Sequence, residues 1–114
     1  MKINVTNQGD IQLLELSGEL DYHSSPELRE KLTALATKQA SKILVNLSGV
    51  DYMDSSGIAT FVEAFQKTKR YQGRLILAEL TPTVRGVFEI AKLDSIFELA
   101  PTLAEATSRF NAKA

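Results

Sequence analysis

Cysteine is missing from this chain of 114 residues, which excludes a disulfide framework and a zinc site built on thiolates. An excess of basic residues is also missing, because 13 lysines and arginines stand against 14 aspartates and glutamates. The resulting formal net charge of -1 argues against binding to nucleic acid. No apolar run is long enough for a signal peptide or a membrane-spanning helix. We therefore expect a cytoplasmic protein with no direct membrane insertion.

Repeats, low-complexity segments and linkers are absent as well, so the sequence offers no place for an internal domain boundary. A content of 44% hydrophobic and 24% charged residues is ordinary for a globular protein. A chain of this length can bury a hydrophobic core without metal or disulfide bonds. We therefore expect residues 1–114 to form one domain.

Hydrophobic periodicity predicts strands and helices that alternate along most of the chain. Strands are predicted at residues 2–6, 11–16, 42–47, 74–78 and 95–99, the first two joined in a hairpin. Helices are predicted to begin near Ser25, Asp54, Thr81 and Thr102, with proline following the first and third of these caps. Such alternation is typical of parallel strands joined by crossover helices. The predicted fold class is α/β, a mostly parallel sheet with one antiparallel edge strand, covered by about four helices.

Apolar residues at helical spacing predict which face of each helix packs on the sheet. The predicted inward residues are Leu28, Leu32 and Leu35 in the first helix, Ile58, Phe61, Val62 and Phe65 in the second, Val84, Val87, Phe88 and Ala91 in the third, and Leu103, Ala106 and Phe110 in the fourth. Gly73 is expected to supply the left-handed residue that ends the second helix.

Two polar segments follow the second and third predicted strands: GELDYHSS at residues 18–25 and GVDYMDSSG at residues 49–57. In parallel sheets, ligands and partners meet the loops at the carboxyl ends of the strands. These two segments are therefore the candidate functional region.

Enzyme chemistry finds little support in these segments. The serine elbow of hydrolases needs glycine two residues before and two after the nucleophile, and Ser55 has only the second of these. The lone histidine, His23, lies in a predicted loop, where a solvated histidine needs no catalytic role. Asp21, Asp51 and Asp54 could hold magnesium only weakly, and capping explains them equally well. No glycine-rich phosphate loop is present, so we expect no catalytic residue, metal or cofactor.

Capping explains Asp54 but leaves two serines without a structural task. Asp54 can accept hydrogen bonds from the first amides of the helix, and its charge suits the positive helix end. On a helical wheel with the predicted stripe turned inward, Ser56 points away from the core. Ser55 falls at the edge of the stripe, in line with Ala59, Val62 and Gln66. Short side chains along this edge favour docking by another protein.

Three segments carry a resemblance to a known family. They are SGELDYHSSPELREKL at residues 17–32, ILVNLSGVDYMDSSGIATFVEAF at residues 43–65, and the pattern of Pro82, Val84 and Phe88. Together they resemble the STAS domain of bacterial anti-sigma-factor antagonists over essentially the whole chain. The resemblance implies a binding protein and not an enzyme.

The resemblance also implies a switch. In that family the unphosphorylated antagonist binds an anti-sigma factor that is also a serine kinase of the ATPase type, which releases the sigma factor. The kinase phosphorylates the first serine of Asp-Ser-Ser-Gly, here Ser55, and a PP2C-type phosphatase removes the mark. The docking surface implied here, in sequence order, comprises Asp21, Tyr22, His23, Asp54, Ser55, Ser56, Ala59, Val62 and Gln66.

Two alternatives keep the fold and change the role. One is a regulatory or assembly subunit of a lipid-transport ABC transporter or another transporter, which could use the same helix edge. The other is a stressosome-like scaffold, in which the same serine is phosphorylated within a large complex. Nucleotide binding, suggested for some relatives, has no phosphate loop to promote it here.

Overall fold

Five strands form one sheet in the order β1-β2-β3-β4-β5 in the computed structural model, which describes residues 1–112. The elements are β1 (Lys2–Gln8), β2 (Ile11–Leu20), α1 (Ser25–Thr37), β3 (Lys42–Met53), α2 (Ser55–Arg70), β4 (Arg74–Ala78), α3 (Pro82–Ile90), β5 (Glu98–Ala100) and α4 (Leu103–Asn111). The β1–β2 pair is antiparallel and the other three pairs are parallel. The predicted α/β fold with one antiparallel edge strand is confirmed.

Helices cover the sheet unequally, and the larger core lies under α1, α2 and α3. Residues of β2 point to both faces of the sheet. Leu14 and Leu16 belong to the larger core. Ile11 and Leu13 belong to the smaller core, which packs against α4. The α1 residues predicted to face inward, Leu28, Leu32 and Leu35, are all buried in the larger core. In α4, Ala106 and Phe110 are buried and Leu103 is half-buried, as their spacing indicates.

Strands β2 and β3 continue as a paired ribbon beyond the rest of the sheet. Strand β4 pairs only with residues 42–46 of β3, whereas the β2–β3 pairing runs on to Leu20 opposite Met53. Residues 18–20 and 49–53, predicted as loops, are therefore strand. Register irregularities break the two-residue period, so that Leu47, Val50 and Met53 are all buried although they lie three apart. Because of that interruption, the alternating pattern in the sequence did not predict the extension of the two strands.

The buried face of α2 is rotated from the predicted one. Phe61 is buried, but Ile58, Val62 and Phe65 are only half-buried. The fully buried residues of the helix are Gly57, Thr60, Phe61, Ala64 and Thr68. Small residues on this face bring the helix close to the sheet, and a count of large apolar side chains cannot detect that.

Helix α3 and strand β5 also differ from expectation. Val84 and Phe88 are buried in α3 as predicted, whereas Val87 is half-buried and Ala91 is exposed. Strand β5 begins at Glu98, three residues after the predicted start, and Ile96 lies in a turn with 54% of its surface exposed. Only the last three residues of β4, Ile76 to Ala78, pair with β5.

Two helix termini also correct the sequence prediction. The N-cap of α1 is Ser24, and Ser25 is the buried first residue of the helix. After α2, the left-handed residue is Gln72 with φ of 65°, and Gly73 follows it. Glycine is favoured but not obligatory at this position, because a non-glycine residue adopts it at a cost of about 1–2 kcal/mol.

Gly57 sets how closely the first turn of α2 approaches the sheet. A Cβ added there would lie 2.8 Å from Cγ of Met53 and 2.9 Å from Cγ of Leu20. We predict that Gly57→Ala lowers the free energy of unfolding by about 1–3 kcal/mol, the usual cost of overpacking. Gly86 in α3 is the matched control, since an added Cβ has no heavy atom within 4 Å. Gly86→Ala is expected to raise stability by about 0.5–1 kcal/mol. Urea denaturation of both variants checks the pair, and equal effects would contradict the packing argument.

Candidate protein-interaction site at the start of helix α2

The start of α2 is tied to the end of β2 by its cap. Asp54 Oδ1 accepts a hydrogen bond from the Ser56 amide at 2.9 Å. The Asp54 amide donates to the Leu20 carbonyl oxygen at 3.2 Å, and the Asp54 carbonyl oxygen accepts from the Gly57 amide at 3.1 Å. The capping role predicted for Asp54 is confirmed. The cap fixes the first turn of the helix against the β2–β3 ribbon.

Of the two serines, Ser55 is the more accessible. Ser55 is exposed, whereas Ser56 is half-buried, and the Ser56 carbonyl oxygen accepts a hydrogen bond from Thr60 Oγ1 at 2.8 Å. The prediction that Ser56 points away from the core was therefore wrong. The helical wheel was centred on the large apolar residues, and the true buried face, centred near Gly57 and Ala64, turns Ser55 outward.

A stripe of short side chains runs along α2 from Ser55. Ser55, Ala59 and Gln66 are exposed and Val62 is half-buried. Their spacing of four, three and four residues places them on one helix face. Because Gly57, Phe61 and Ala64 define the opposite, buried face, the stripe faces solvent. It presents no charged side chain of its own.

The loop between β2 and α1 is organised by Asp21. Asp21 Oδ1 accepts hydrogen bonds from the His23 amide at 2.9 Å and from the Ser24 amide at 3.0 Å. The Ser24 hydroxyl in turn donates to the Glu19 carbonyl oxygen at 2.8 Å. These bonds, the Ser24 amide first among them, hold the pKa of the Asp21 carboxyl below its usual value. The negative charge of Asp21 therefore stabilises the loop in which the residue lies.

A groove between α1 and α2 brings part of the predicted surface together. This groove has a volume of about 530 Å³, and Tyr22, His23, Ser56 and Ala59 line it. Tyr22 is 74% exposed, and its ring meets that of His23 edge-to-face with centroids 5.7 Å apart. Asp21 instead lines a separate pocket of about 460 Å³ with Met1, Glu19 and Glu27. The structure thus does not place Asp21 in the groove with Ser56.

Sequence reasoning missed two features of this region. Arg29 of α1 also lines the groove with Ser56 and pairs with Glu63 of α2 at 3.0 Å. A second groove, of about 270 Å³, lies between α2 and α3, with Ser55 on its wall. Its apolar lining consists of Ile58, Val87, Ile90 and Ala91. The spacing of Val87, Ile90 and Ala91 could have indicated this groove in the sequence, because residues three and four positions apart lie on one helix face.

Residues 1–112 contain neither a metal-binding cluster nor a membrane-spanning helix. Within that range no group of three or more His, Cys, Asp or Glu side chains is arranged to hold a metal ion. None of the helices described there combines the length and apolar character that crossing a bilayer requires.

Comparison with known proteins places the chain in a family. A family model described as the STAS domain matches residues 2–106. The chain belongs to the STAS domain family. Within this STAS family, the anti-sigma-B factor antagonist of Bacillus subtilis (strain 168) is 39% identical over 103 residues. That alignment covers 88% of this chain and 93% of the relative.

Solved structures agree with the STAS assignment. The Bacillus anti-sigma factor antagonist SpoIIAA has been solved unphosphorylated, with 25% identity, a TM-score of 0.77 and coverage of 98% of this chain and 100% of that chain. Its phosphorylated form has 27% identity, the same TM-score of 0.77, and coverage of 96% and 100%. An anti-sigma factor antagonist from Mycobacterium paratuberculosis is 22% identical with a TM-score of 0.90, covering 97% and 94%, and shows the fold alone.

The Asp21 loop should be sensitive to acid. A carboxyl whose folded pKa is lowered stabilises the folded loop above its unfolded pKa, and that contribution is lost as the pH falls through the folded pKa. We predict that the Ser24 amide resonance shifts with a midpoint below pH 3.8, the ordinary pKa of aspartic acid. An NMR pH titration measures this. Asp21→Asn is the control and should abolish the transition, and a midpoint above pH 3.8 would contradict the hydrogen-bond account.

Proposed function

We propose that this STAS protein is a phosphorylation-switched anti-sigma-factor antagonist. In this proposal the unphosphorylated chain binds an anti-sigma factor that is also a serine kinase, and phosphorylation of Ser55 abolishes the binding. The observation that carries it is the position of Ser55, exposed as the first residue of α2 and at the head of an uncharged stripe. The chain would act by binding and not by catalysis, as one domain over residues 1–114 in the cytoplasm.

The start of a helix can carry a phosphate without harm to the fold. Free amides and the helix dipole favour an anion there by about 0.3–1 kcal/mol, up to ~2 kcal/mol when partly buried. Ser55 is exposed, so the phosphate needs no space inside the core. The effect of phosphorylation is therefore expected at the interface and not in the fold.

At the interface the same phosphate is unfavourable. It adds about -1.5 to -2 charges and strongly hydrated oxygens to a contact that otherwise receives a hydroxyl. The carboxylate of Asp54, the adjacent residue, adds like-charge repulsion. A penalty of about 3 kcal/mol would weaken binding more than a hundredfold. That is sufficient to reverse a competition between two partners.

The proposed docking surface has two parts. Tyr22 and His23 share a groove with Ser56 and Ala59, and this groove suits an inserted side chain of the partner. Ser55, Val62 and Gln66 extend the surface along α2. In this proposal Asp21 and Asp54 act indirectly, because Asp21 orders the loop and Asp54 caps the helix.

The comparisons support an anti-sigma factor as the partner in this proposal. Curated relatives are named anti-sigma-B factor antagonists, and SpoIIAA has been solved with and without its phosphate. A kinase of the ATPase type would add the phosphate to Ser55, and a PP2C-type phosphatase would remove it. No nucleic-acid contact or cofactor is part of the mechanism.

Ser55 variants test the switch. We predict that Ser55→Ala binds the kinase as the unmodified chain does but cannot be phosphorylated, because it lacks the hydroxyl. Ser55→Asp should fold normally and bind more weakly, since it places an anion in the contact. Purified kinase, identified after capture on immobilised Ser55→Ala, would be titrated against each variant by calorimetry. Ser56→Ala is the matched control and should still be phosphorylated, at Ser55, as mass spectrometry would show.

Three results would contradict this proposal. A phosphate found only on Ser56 would refute the assignment of the site. Recovery of transporter subunits in equal amount with Ser55→Ala and Ser55→Asp would favour the transporter alternative, and recovery of a large scaffold complex would favour the stressosome-like one. Either recovery would replace the antagonist proposal.

Phosphorylation should leave the stability of the chain nearly unchanged. The expected reason is the balance at the helix start, where favourable amides and the nearby Asp54 carboxylate act in opposite directions. We predict that the melting temperature of the phosphorylated protein lies within about 4 °C of the unmodified one, a change of less than ~1 kcal/mol. Differential scanning calorimetry measures it. A fall of many degrees would mean that the mark acts by unfolding the chain.

A further inference from the structure

The groove between α2 and α3 is open to solvent and nearly all apolar. Ile58 forms one wall, and Val87, Ile90 and Ala91 form the other. Asp54 and Ser55 lie at one end, and Asp54 is the one ionisable residue of the lining. Ile90 is 86% exposed, which is unusual for an aliphatic side chain of this size.

Helix α3 has a second apolar face that its packing on the sheet does not use. Val84 and Phe88 are buried in the core and account for one face. Val87, Ile90 and Ala91 form another at spacings of three and four residues, and they turn toward α2 and solvent. Scattered exposed apolar residues need no explanation, whereas these side chains are adjacent and together form a groove that fits an apolar side chain of a partner.

The groove continues the proposed docking surface across the first turn of α2. Ser56 lines the α1–α2 groove together with Tyr22 and His23. Ser55, the preceding residue, lines the α2–α3 groove together with Ile90. One protein placed over the start of α2 would therefore reach both grooves. This continuity favours the same partner as the occupant over a second, unrelated one.

We infer that the α2–α3 groove receives a bulky aliphatic side chain of the anti-sigma factor, and that phosphorylation of Ser55 closes this groove to it. The inference rests on the proposed function. A phosphate at the end of the groove holds water strongly, and an aliphatic side chain gains by entering only if that water leaves. Phosphorylation of Ser55 thus weakens an apolar contact as well as the contact made by the Ser55 hydroxyl.

Truncation of Ile90 tests the groove. Ile90→Ala removes three carbon atoms from its wall and should raise the dissociation constant for the purified kinase by about 10-fold or more. The melting temperature should not change, because the side chain is 86% exposed in the free protein. Ile96→Ala is the matched control, since Ile96 is 54% exposed and lies outside the groove. It should bind as the unmodified chain does.

Ser55→Asp, measured alongside, separates the two proposals. If Ser55→Asp binds weakly while Ile90→Ala binds normally, the groove inference is overturned and the proposed function stands. If Ser55→Asp binds as tightly as the unmodified chain, the proposed function itself fails. Sedimentation velocity supplies the remaining outcome: a dimer of the unmodified chain that Ile90→Ala dissociates would assign the groove to a second copy and overturn the inference.

Discussion

The attachment of the first turn of α2 to the ends of β2 and β3 is the constraint on which the site depends. The Asp54 amide bonds to the Leu20 carbonyl oxygen, and Gly57 lets the helix lie directly on the side chains of Leu20 and Met53. Because one side of the first turn is held against the two strands, the residues on its opposite side must face solvent. That opposite side carries Ser55.

The same attachment explains how one turn of helix could serve both the fold and the proposed switch. The groups that stabilise the structure point inward, toward the ribbon, and Asp54 satisfies the Ser56 amide. Ser55, Ala59 and Gln66 are exposed on the opposite side of the helix. A phosphate on Ser55 is therefore expected to alter the surface and to leave the interior packing as it is.

The two grooves give the surface more structure than a single serine would. One is polar and aromatic, with Tyr22 and His23 on its rim, and the other is aliphatic, with Ile90 on its wall. They lie on the two sides of the same helical turn. Aromatic and aliphatic anchors of this kind contribute most of the binding energy in many interfaces, and charges at their edges mainly decide which partner is accepted.

Local chemistry made the element types, the order of the fold and the cap at Asp54 readable from the sequence. A cap, a proline at the helix start and an apolar period all act between residues that are neighbours in the chain. The same strings, taken together, were enough to indicate the family. Where a cap could form at either of two adjacent serines, as at Ser24 and Ser25, the local pattern did not decide between them.

Tertiary packing decided the rest. The ribbon beyond β4 depends on pairing between Leu20 and Met53, which are 33 positions apart by their numbers, and no local period predicts it. The rotation of α2 depends on small residues, Gly57 and Ala64, fitting against the sheet, and it turned Ser55 and not Ser56 outward. The sequence by itself determined that a capped helix begins here with two serines. Only the packed structure determined which serine faces solvent, because the orientation of a helix is set by what it lies against.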